Sequence, residues 1–267
     1  MMLPRPDLTA LGITHRRIPL MAIGKDVYCD SAVAVDALQA LSATLQSSPS
    51  DKAFEAYGNT IIGIMLRAFA LDSFPGLVQD RATIFSVVTR PDHATLRESA
   101  LSELKSIFEI LEFEMLADRK FVAGDAMTIA DINVVFVVRW ALLDLQFEKV
   151  PGFGTADLPR VYAWISRIPL PEAVIKISAE EASAIILESE PGQLSLSNVD
   201  LHAIPIATGV VVETVDSVPG SHPQYGTLIG SARHKVVIEI ENGLRLHFPK
   251  RGYIIRSEES FQKCGIS

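Results

Sequence analysis

The stretch Gly124-Asp-Ala-Met-Thr-Ile-Ala-Asp131 decides the fold, because it stands directly before the most apolar run in the chain. Thr128 and Asp131 have the spacing of a capping box, in which each side chain accepts a hydrogen bond from the other residue's backbone amide. Residues 132–145 then carry apolar side chains on almost every helical face. Because a helix that is apolar all round has to be buried, we predict a helix in the middle of a bundle.

Helical periodicity continues on both sides of this segment, from residue 51 to about residue 187. The clearest case is Pro91 to Asp118, where proline suits the first turn. Its apolar residues have the spacing of one buried stripe: Leu96, Ala100, Leu104, Ile107, Phe108, Leu111 and Met115. Further helices are expected around 157–168 and 171–188. The sequence therefore predicts an all-helical domain over residues 51–188.

The first 47 residues mix helical and strand signals. Residues 4–12 predict a short helix, and two apolar runs, 17–23 and 26–29, flank Gly24-Lys25 as in a tight β-hairpin. Ser31 begins a further helix whose apolar positions continue to Leu45, and Ser47-Ser-Pro-Ser50 is typical of a linker.

The pattern changes to β-type after Glu190-Pro-Gly192. Four runs, 207–215, 227–228, 235–240 and 244–248, are separated by glycine- and proline-containing turns, and Glu241-Asn-Gly-Leu244 is a strong hairpin signal. We predict a separate small β module over residues 193–260.

Composition excludes several classes of protein. The formal charge of −8 argues against nucleic acid as a partner, because phosphate binding needs a basic surface. No apolar stretch reaches about 18 uncharged residues, and the N-terminus lacks the pattern of a signal peptide, so we expect no membrane association. Two cysteines without a CxxC pattern favour a reducing, cytoplasmic location, and the six histidines lack metal-ligand spacing.

Three patterns together resemble the glutathione transferase family over residues 4–188. Gly124–Asp131 is similar to the element that caps the central helix of that family. Arg17-Ile-Pro-Leu-Met-Ala-Ile-Gly24 resembles the strand that carries a cis-proline, and Asp30-Ser31 resembles the acid and hydroxyl pair at a helix start. The arrangement looks closest to fungal members with an extra C-terminal β module, in which a stretch like Leu244-Arg-Leu-His-Phe-Pro249 ends the chain.

The resemblance implies a glutathione site with glutathione as cosubstrate. Ile18 would offer backbone groups to the cysteinyl part beside a cis Pro19; the alternative is an ordinary trans proline on an edge strand. Asp30 and Ser31 would hold the γ-glutamyl end, since a helix N-terminus favours a carboxylate. The alternative at this position is plain N-capping.

The sequence also departs from the family. A complete member has a strand, a helix and a strand before the equivalent of residues 4–12, and carries its thiol-activating residue there, whereas only 18 residues precede Pro19. The catalytic residue is therefore unknown. The candidates Tyr28, Tyr57, Arg67 and Cys29 are weak, and Cys29 suits a buried structural thiol better.

The expected fold is mainly α with β additions: a truncated thioredoxin-like part (1–47), the helical bundle (51–188) and the β module (193–260). The missing unit would leave the strand at residues 18–23 with an unpaired edge. Three outcomes stay open: an intimate or swapped homodimer, a sheet rebuilt with strands from residues 193–260, or a chain start downstream of the natural one.

Two functional hypotheses follow. The first is a glutathione transferase-like enzyme acting on an apolar small molecule, in a pathway such as secondary metabolite biosynthesis. Its cleft would lie between residues 18–31 and the helices at 51–72 and 91–118, with four candidate wall residues: Tyr57, Asn59, Arg67 and Trp140. The second is a glutathione-independent isomerase or cyclase, or a non-catalytic interaction protein, on the same fold.

Overall fold

The computed structural model describes residues 5–42, 47–69, 76–170, 173–194 and 204–265. The fold is mixed α/β and forms two compact units. The first comprises Met1–Leu41, Gln79–Ser86 and Ile175–Ser267, and the second Ser42–Val78 and Val87–Val174. The chain thus does not divide into the three consecutive parts expected from the sequence.

The first unit is built on a seven-stranded sheet in the order β1-β2-β6-β5-β4-β3-β7. Its strands are β1 (Leu20–Ile23), β2 (Asp26–Cys29), β3 (Gly209–Thr214), β4 (Gln224–Ser231), β5 (Lys235–Glu239), β6 (Arg245–Pro249) and β7 (Tyr253–Ser257). The predicted hairpin is β1–β2, with Gly24 at φ 58° in its turn. A Cβ at Gly24 would lie 2.4 Å from the carbonyl oxygen of Glu190, so this turn requires glycine.

Strand β2 joins the two ends of the sequence. It pairs in parallel with β6, with Val27 opposite Leu246, and the amide of Arg245 donates to the carbonyl of Lys25 at 2.9 Å. Of the three arrangements that the sequence left open, the described residues show a sheet that includes strands from residues 193–260; these strands continue the sheet from β2, and β1 remains at its edge. Residues 193–260 therefore do not form a separate module, because their strands satisfy backbone groups that β2 would otherwise leave unpaired.

Apolar side chains from both ends of the chain fill one core in this unit. Val27, Val212, Ile238, Leu246 and Phe248 are all buried in it. The unit's helices are α1 (Pro6–Ala10), α2 (Ser31–Leu41), α8 (Ala179–Glu188) and α9 (Glu258–Lys263), with most of α4 (Leu77–Arg81). The helix expected over 171–188 is shorter than predicted, and residues 171–172 lie outside the described part. The predicted continuation of α2 to Leu45 also falls partly outside it, at residues 43–46.

The second unit is helical, as predicted. It contains α3 (Asp51–Ala68), α5 (His93–Ile110), α6 (Ile129–Arg139) and α7 (Pro159–Arg167). Helices α5 and α6 each continue into one π-helical turn, Leu111–Met115 and Trp140–Asp144. Across the described ranges, no helix is both long enough and apolar enough to cross a membrane.

The capping box predicted at the start of α6 is present. Asp131 is fully buried and accepts from the amide of Thr128 at 2.9 Å. Its other oxygen accepts from the amide of Val122 and from Nε1 of Trp164, both at 2.9 Å. One carboxylate therefore connects α6, α7 and the loop before α6, which explains why this short motif identifies the fold.

Candidate ligand-binding site

The bond between Ile18 and Pro19 is cis and lies directly before β1. The side chain of Ile18 is 52% exposed, although its neighbours His15 and Arg16 are buried. Within the described ranges, no residue forms a hydrogen bond with the backbone of Ile18. Its N–H and C=O are therefore available to a ligand.

A backbone hydrogen bond brings the start of α2 next to this proline. The amide of Asp30 donates to the carbonyl of Pro19 at 3.2 Å, one residue beyond the β1–β2 pairing of Leu20 with Cys29. Ile18-Pro19 and Asp30-Ser31 therefore lie side by side at the open end of the hairpin.

Asp30 is held in an unusual backbone conformation. Its φ is 128°, a region that residues other than glycine rarely adopt and that is often associated with functional sites. Its carboxylate accepts from the amide of Ala32 at 2.9 Å, which is N-capping of α2. The hydroxyl of Ser31 is 3.4 Å from the same carboxylate oxygen, a long contact that leaves this exposed side chain able to turn to another partner.

Tyr253, on β7, is part of this site although the sequence did not indicate it. Its hydroxyl donates to the second carboxylate oxygen of Asp30 at 3.0 Å and approaches the carbonyl of Cys29 at 3.4 Å. Burial, followed by the charge of Asp30, raises the pKa of Tyr253, so the hydroxyl stays protonated and donates. Because β7 follows β2 by more than 200 residues, no local pattern could have predicted this contact.

Two candidate thiol activators on β2 do not suit that role. Cys29 is fully buried, and burial followed by the charge of Asp30 raises the pKa of its thiol, so it remains protonated. The interpretation of Cys29 as a structural thiol agrees with this burial. Tyr28 stacks on His247 at 4.5 Å between ring centroids, and partial burial, with the charge of Asp26, raises its pKa above the usual value.

The four expected wall residues all lie in the second unit, and three of them, Tyr57, Arg67 and Trp140, each interact with a different neighbour. The hydroxyl of Tyr57 donates to the carbonyl of Ile107 at 3.1 Å, and burial raises its pKa to about 12. Arg67 pairs with Glu103 at 2.6 Å.

Trp140 stacks on Phe136 at 6.4 Å between ring centroids, and Asn59 is exposed. None of the contacts among the described residues brings these side chains together. The wall of a substrate pocket therefore stays a prediction.

Comparison with known proteins supports the fold. Residues 65–176 match a protein family described as a domain of unknown function (DUF7962). The structure is similar to that of a GST-like protein from Pseudomonas syringae, with a TM-score of 0.74 and 21% sequence identity, over 96% of this chain and 87% of that one. No curated protein matches. The chain therefore has the fold of glutathione transferase-like proteins.

Proposed function

We propose that this protein binds glutathione through Ile18, Pro19, Asp30 and Ser31 and acts as a glutathione transferase-like enzyme on an apolar small molecule. One observation carries the proposal: the hydrogen bond from the Asp30 amide to the Pro19 carbonyl, at 3.2 Å, sets the free backbone of Ile18 beside the start of α2. A tripeptide with a carboxylate at one end matches this pair of features.

The cysteinyl and γ-glutamyl residues of glutathione have counterparts among these groups. The N–H and C=O of Ile18 would pair with the backbone of the cysteinyl residue. The first turn of α2 has amides without intrahelical partners, and the Asp30 side chain satisfies only that of Ala32, while the Asp30 carbonyl accepts from Ala34. The γ-glutamyl carboxylate would bind to the remaining amides with the Ser31 hydroxyl. The Asp30 carboxylate has further lone pairs for the ammonium group.

A glutathione-independent role on the same fold is the second candidate. The observation that favours it is the state of the candidate activators: Cys29 is buried and protonated, the Tyr57 hydroxyl donates to a carbonyl, and Arg67 is paired with Glu103. With an ordinary pKa of about 8.5, a thiol needs a nearby positive charge or a donor to ionise at neutral pH. A measurement of glutathione binding distinguishes the two candidate functions.

Calorimetric titration with glutathione tests the proposal. We expect binding in the micromolar-to-millimolar range, weakened about tenfold in Ser31→Ala because a hydrogen bond to a charged group is lost. Ser166→Ala is the matched control: its exposed hydroxyl bonds only to the carbonyl of Ala163 in α7, and its affinity should equal that of the wild type. Absence of heat at millimolar glutathione, in a folded sample, would exclude the first candidate.

A further inference from the structure

A small basic pocket lies within the first unit. It is lined by His15, Arg16, Arg17, Thr214, Ser217 and His222. We call it the basic pocket. The pocket lies where the segment before β1, residues 15–17, meets Thr214 at the end of β3.

The basic pocket contains buried donors without acceptors. His15 and Arg16 are only 5% and 6% exposed. Within the described part of the chain, Nε2 of His15, Nε and Nη1 of Arg16 and Nε of Arg17 are buried and have no hydrogen-bond partner. Leaving a buried polar group unpaired lowers the stability of the fold by about 1–3 kcal/mol, and by more for a charged group. An acceptor bound at these atoms would remove that cost.

Two further polar side chains of the basic pocket, Ser217 and His222, have partners. The hydroxyl of Ser217 donates to the carbonyl of Thr214 at 2.9 Å. Nε2 of His222 lies 2.7 Å from Oγ1 of Thr83. The unpaired guanidinium atoms of Arg16 and Arg17 can only donate, so they lack an acceptor.

Several charged side chains lie close to these donors. Arg16 contacts the carboxylate of Asp80 at 3.2 Å, but Arg81 shares that carboxylate. Arg5 adds a third guanidinium by donating to the carbonyl of Arg16 at 2.9 Å. Two guanidinium groups thus contact the Asp80 carboxylate, and a third contacts the backbone of Arg16.

Arg17 forms an ion pair with Asp216 beside this cluster. The nearby charges affect the pKa values of two histidines, His15 and His222. Burial first, then Arg17, Arg5 and His222, lowers the pKa of His15 to about 3. Burial and Arg16 lower the pKa of His222, with Asp80 acting against them.

We propose that the basic pocket binds a small oxyanion, the group shared by phosphate, sulfate and carboxylate ligands. An oxyanion offers only acceptors and fits the planar donor edge of a guanidinium. Arg16 supplies two donors, Arg17 one, and His15 donates from Nε2 once that nitrogen carries the proton. This proposal does not depend on glutathione binding.

Calorimetry of the full chain with sodium phosphate, sodium acetate and sodium chloride, at one ionic strength and pH 7, tests the proposal. We expect saturable heat with phosphate or acetate and none with chloride. Tighter phosphate binding identifies a tetrahedral oxyanion as the ligand, and tighter acetate binding identifies a carboxylate. Equal responses to all three salts, or no heat with any, would overturn the proposal.

Two variants place the binding in the basic pocket. Arg16→Gln and Arg17→Gln should each weaken oxyanion binding at least about tenfold. Arg90→Gln removes the same charge from an exposed pair with Asp92 and should bind as the wild type does. If Arg16→Gln does not fold, Arg17→Gln alone tests the site. This variant should fold, because the carboxylate it leaves unpaired, Asp216, is well exposed to solvent.

Unchanged affinity in a folded Arg17→Gln protein, or an equal loss in Arg90→Gln, would contradict the assignment. Ser31→Ala separates this site from the proposed glutathione site. It should leave oxyanion binding intact, so failure of one proposal is distinguishable from failure of the other.

Discussion

At the scale of single residues, His15 shows how burial sets the charge of a side chain. Its ring packs edge-on against Phe248 at 5.3 Å between centroids, and lies 5.7 Å from the ring of Tyr253. Burial first, and then the nearby charges of Arg17, Arg5 and His222, lowers its pKa to about 3. In the folded protein, His15 is therefore neutral over the whole physiological range.

This neutral histidine predicts a loss of stability in mild acid. Between about pH 6.5 and pH 3 the unfolded chain binds a proton at His15 that the folded chain does not, so the free energy of unfolding falls as the pH falls. From pH 7 to pH 5 the contribution is about 2 kcal/mol. Urea unfolding at the two pH values should show a drop smaller by this amount in His15→Gln than in the wild type.

The measurement needs buffers free of phosphate and carboxylate, because an oxyanion bound in the basic pocket would favour the charged histidine. His234→Gln, at an exposed position, is the matched control and should show the same drop as the wild type. An undiminished drop in His15→Gln would show that His15 does not contribute to the acid sensitivity.

Single residues were predictable from the sequence where their partners are close in the chain. Asp131 caps α6 through Thr128, three residues away, and the motif showed it. The contact between Tyr253 and Asp30 spans 223 positions and left no local pattern. The buried donors of Arg16 were equally invisible, because an arginine in the sequence does not reveal whether it will be buried.

At the scale of elements, the crossing of α3 and α6 depends on one glycine. A Cβ at Gly58 would lie 2.4 Å from the carbonyl oxygen of Asn133, an atom of the α6 backbone that cannot turn away. The same helix contains Gly63, where an added Cβ would meet nothing within 4 Å. Alanine at these two positions of one helix therefore compares a tightly packed site with an open one.

Gly58→Ala should destabilise the fold and Gly63→Ala should stabilise it. Alanine favours a helix over glycine by about 1 kcal/mol, which is the expected gain at Gly63. At Gly58 the clash should outweigh this gain and leave a net loss of about 1 kcal/mol or more. Chemical denaturation of both variants measures the difference, and equal stabilities would contradict this packing of α3 on α6.

The sequence predicted most elements but not all of their ends. Hydrophobic spacing located α3, α5 and α7, whereas the capping box and the apolar side chains on almost every face located α6. The π-helical turns that end α5 and α6 were not foreseen. Strand β7 was also missed, since Tyr253–Ser257 has no alternation of buried and exposed residues.

At the scale of the whole molecule, the sheet of the first unit joins residues more than 200 positions apart. The amide of Arg245 donates to Lys25 at the parallel junction of β2 and β6. Alternating residues predicted that 244–248 forms a strand, but period-two patterns do not name a partner strand. The pattern alone therefore could not show that the strand at 244–248 pairs with β2.

Hydrogen exchange tests this junction. If β2 and β6 form one cooperative sheet, the amide of Arg245 should be protected to a degree comparable with that of Val237 in the buried β5. The rates can be followed by NMR after transfer to D2O. Exchange of Arg245 at the rate of an unstructured chain, with Val237 still protected, would mean that the hairpin does not stably join the C-terminal strands.

The most direct test of the proposed function is an NMR titration of the labelled protein with glutathione, following backbone amides. The amides of Ile18 and Ser31 should shift together with one dissociation constant, because both segments would contact the same tripeptide beside the Asp30–Pro19 hydrogen bond. Amides in α5, such as that of Leu104 in the buried core, should not move. If neither Ile18 nor Ser31 shifts at millimolar glutathione while the spectrum remains that of a folded protein, the chain does not bind glutathione at this site.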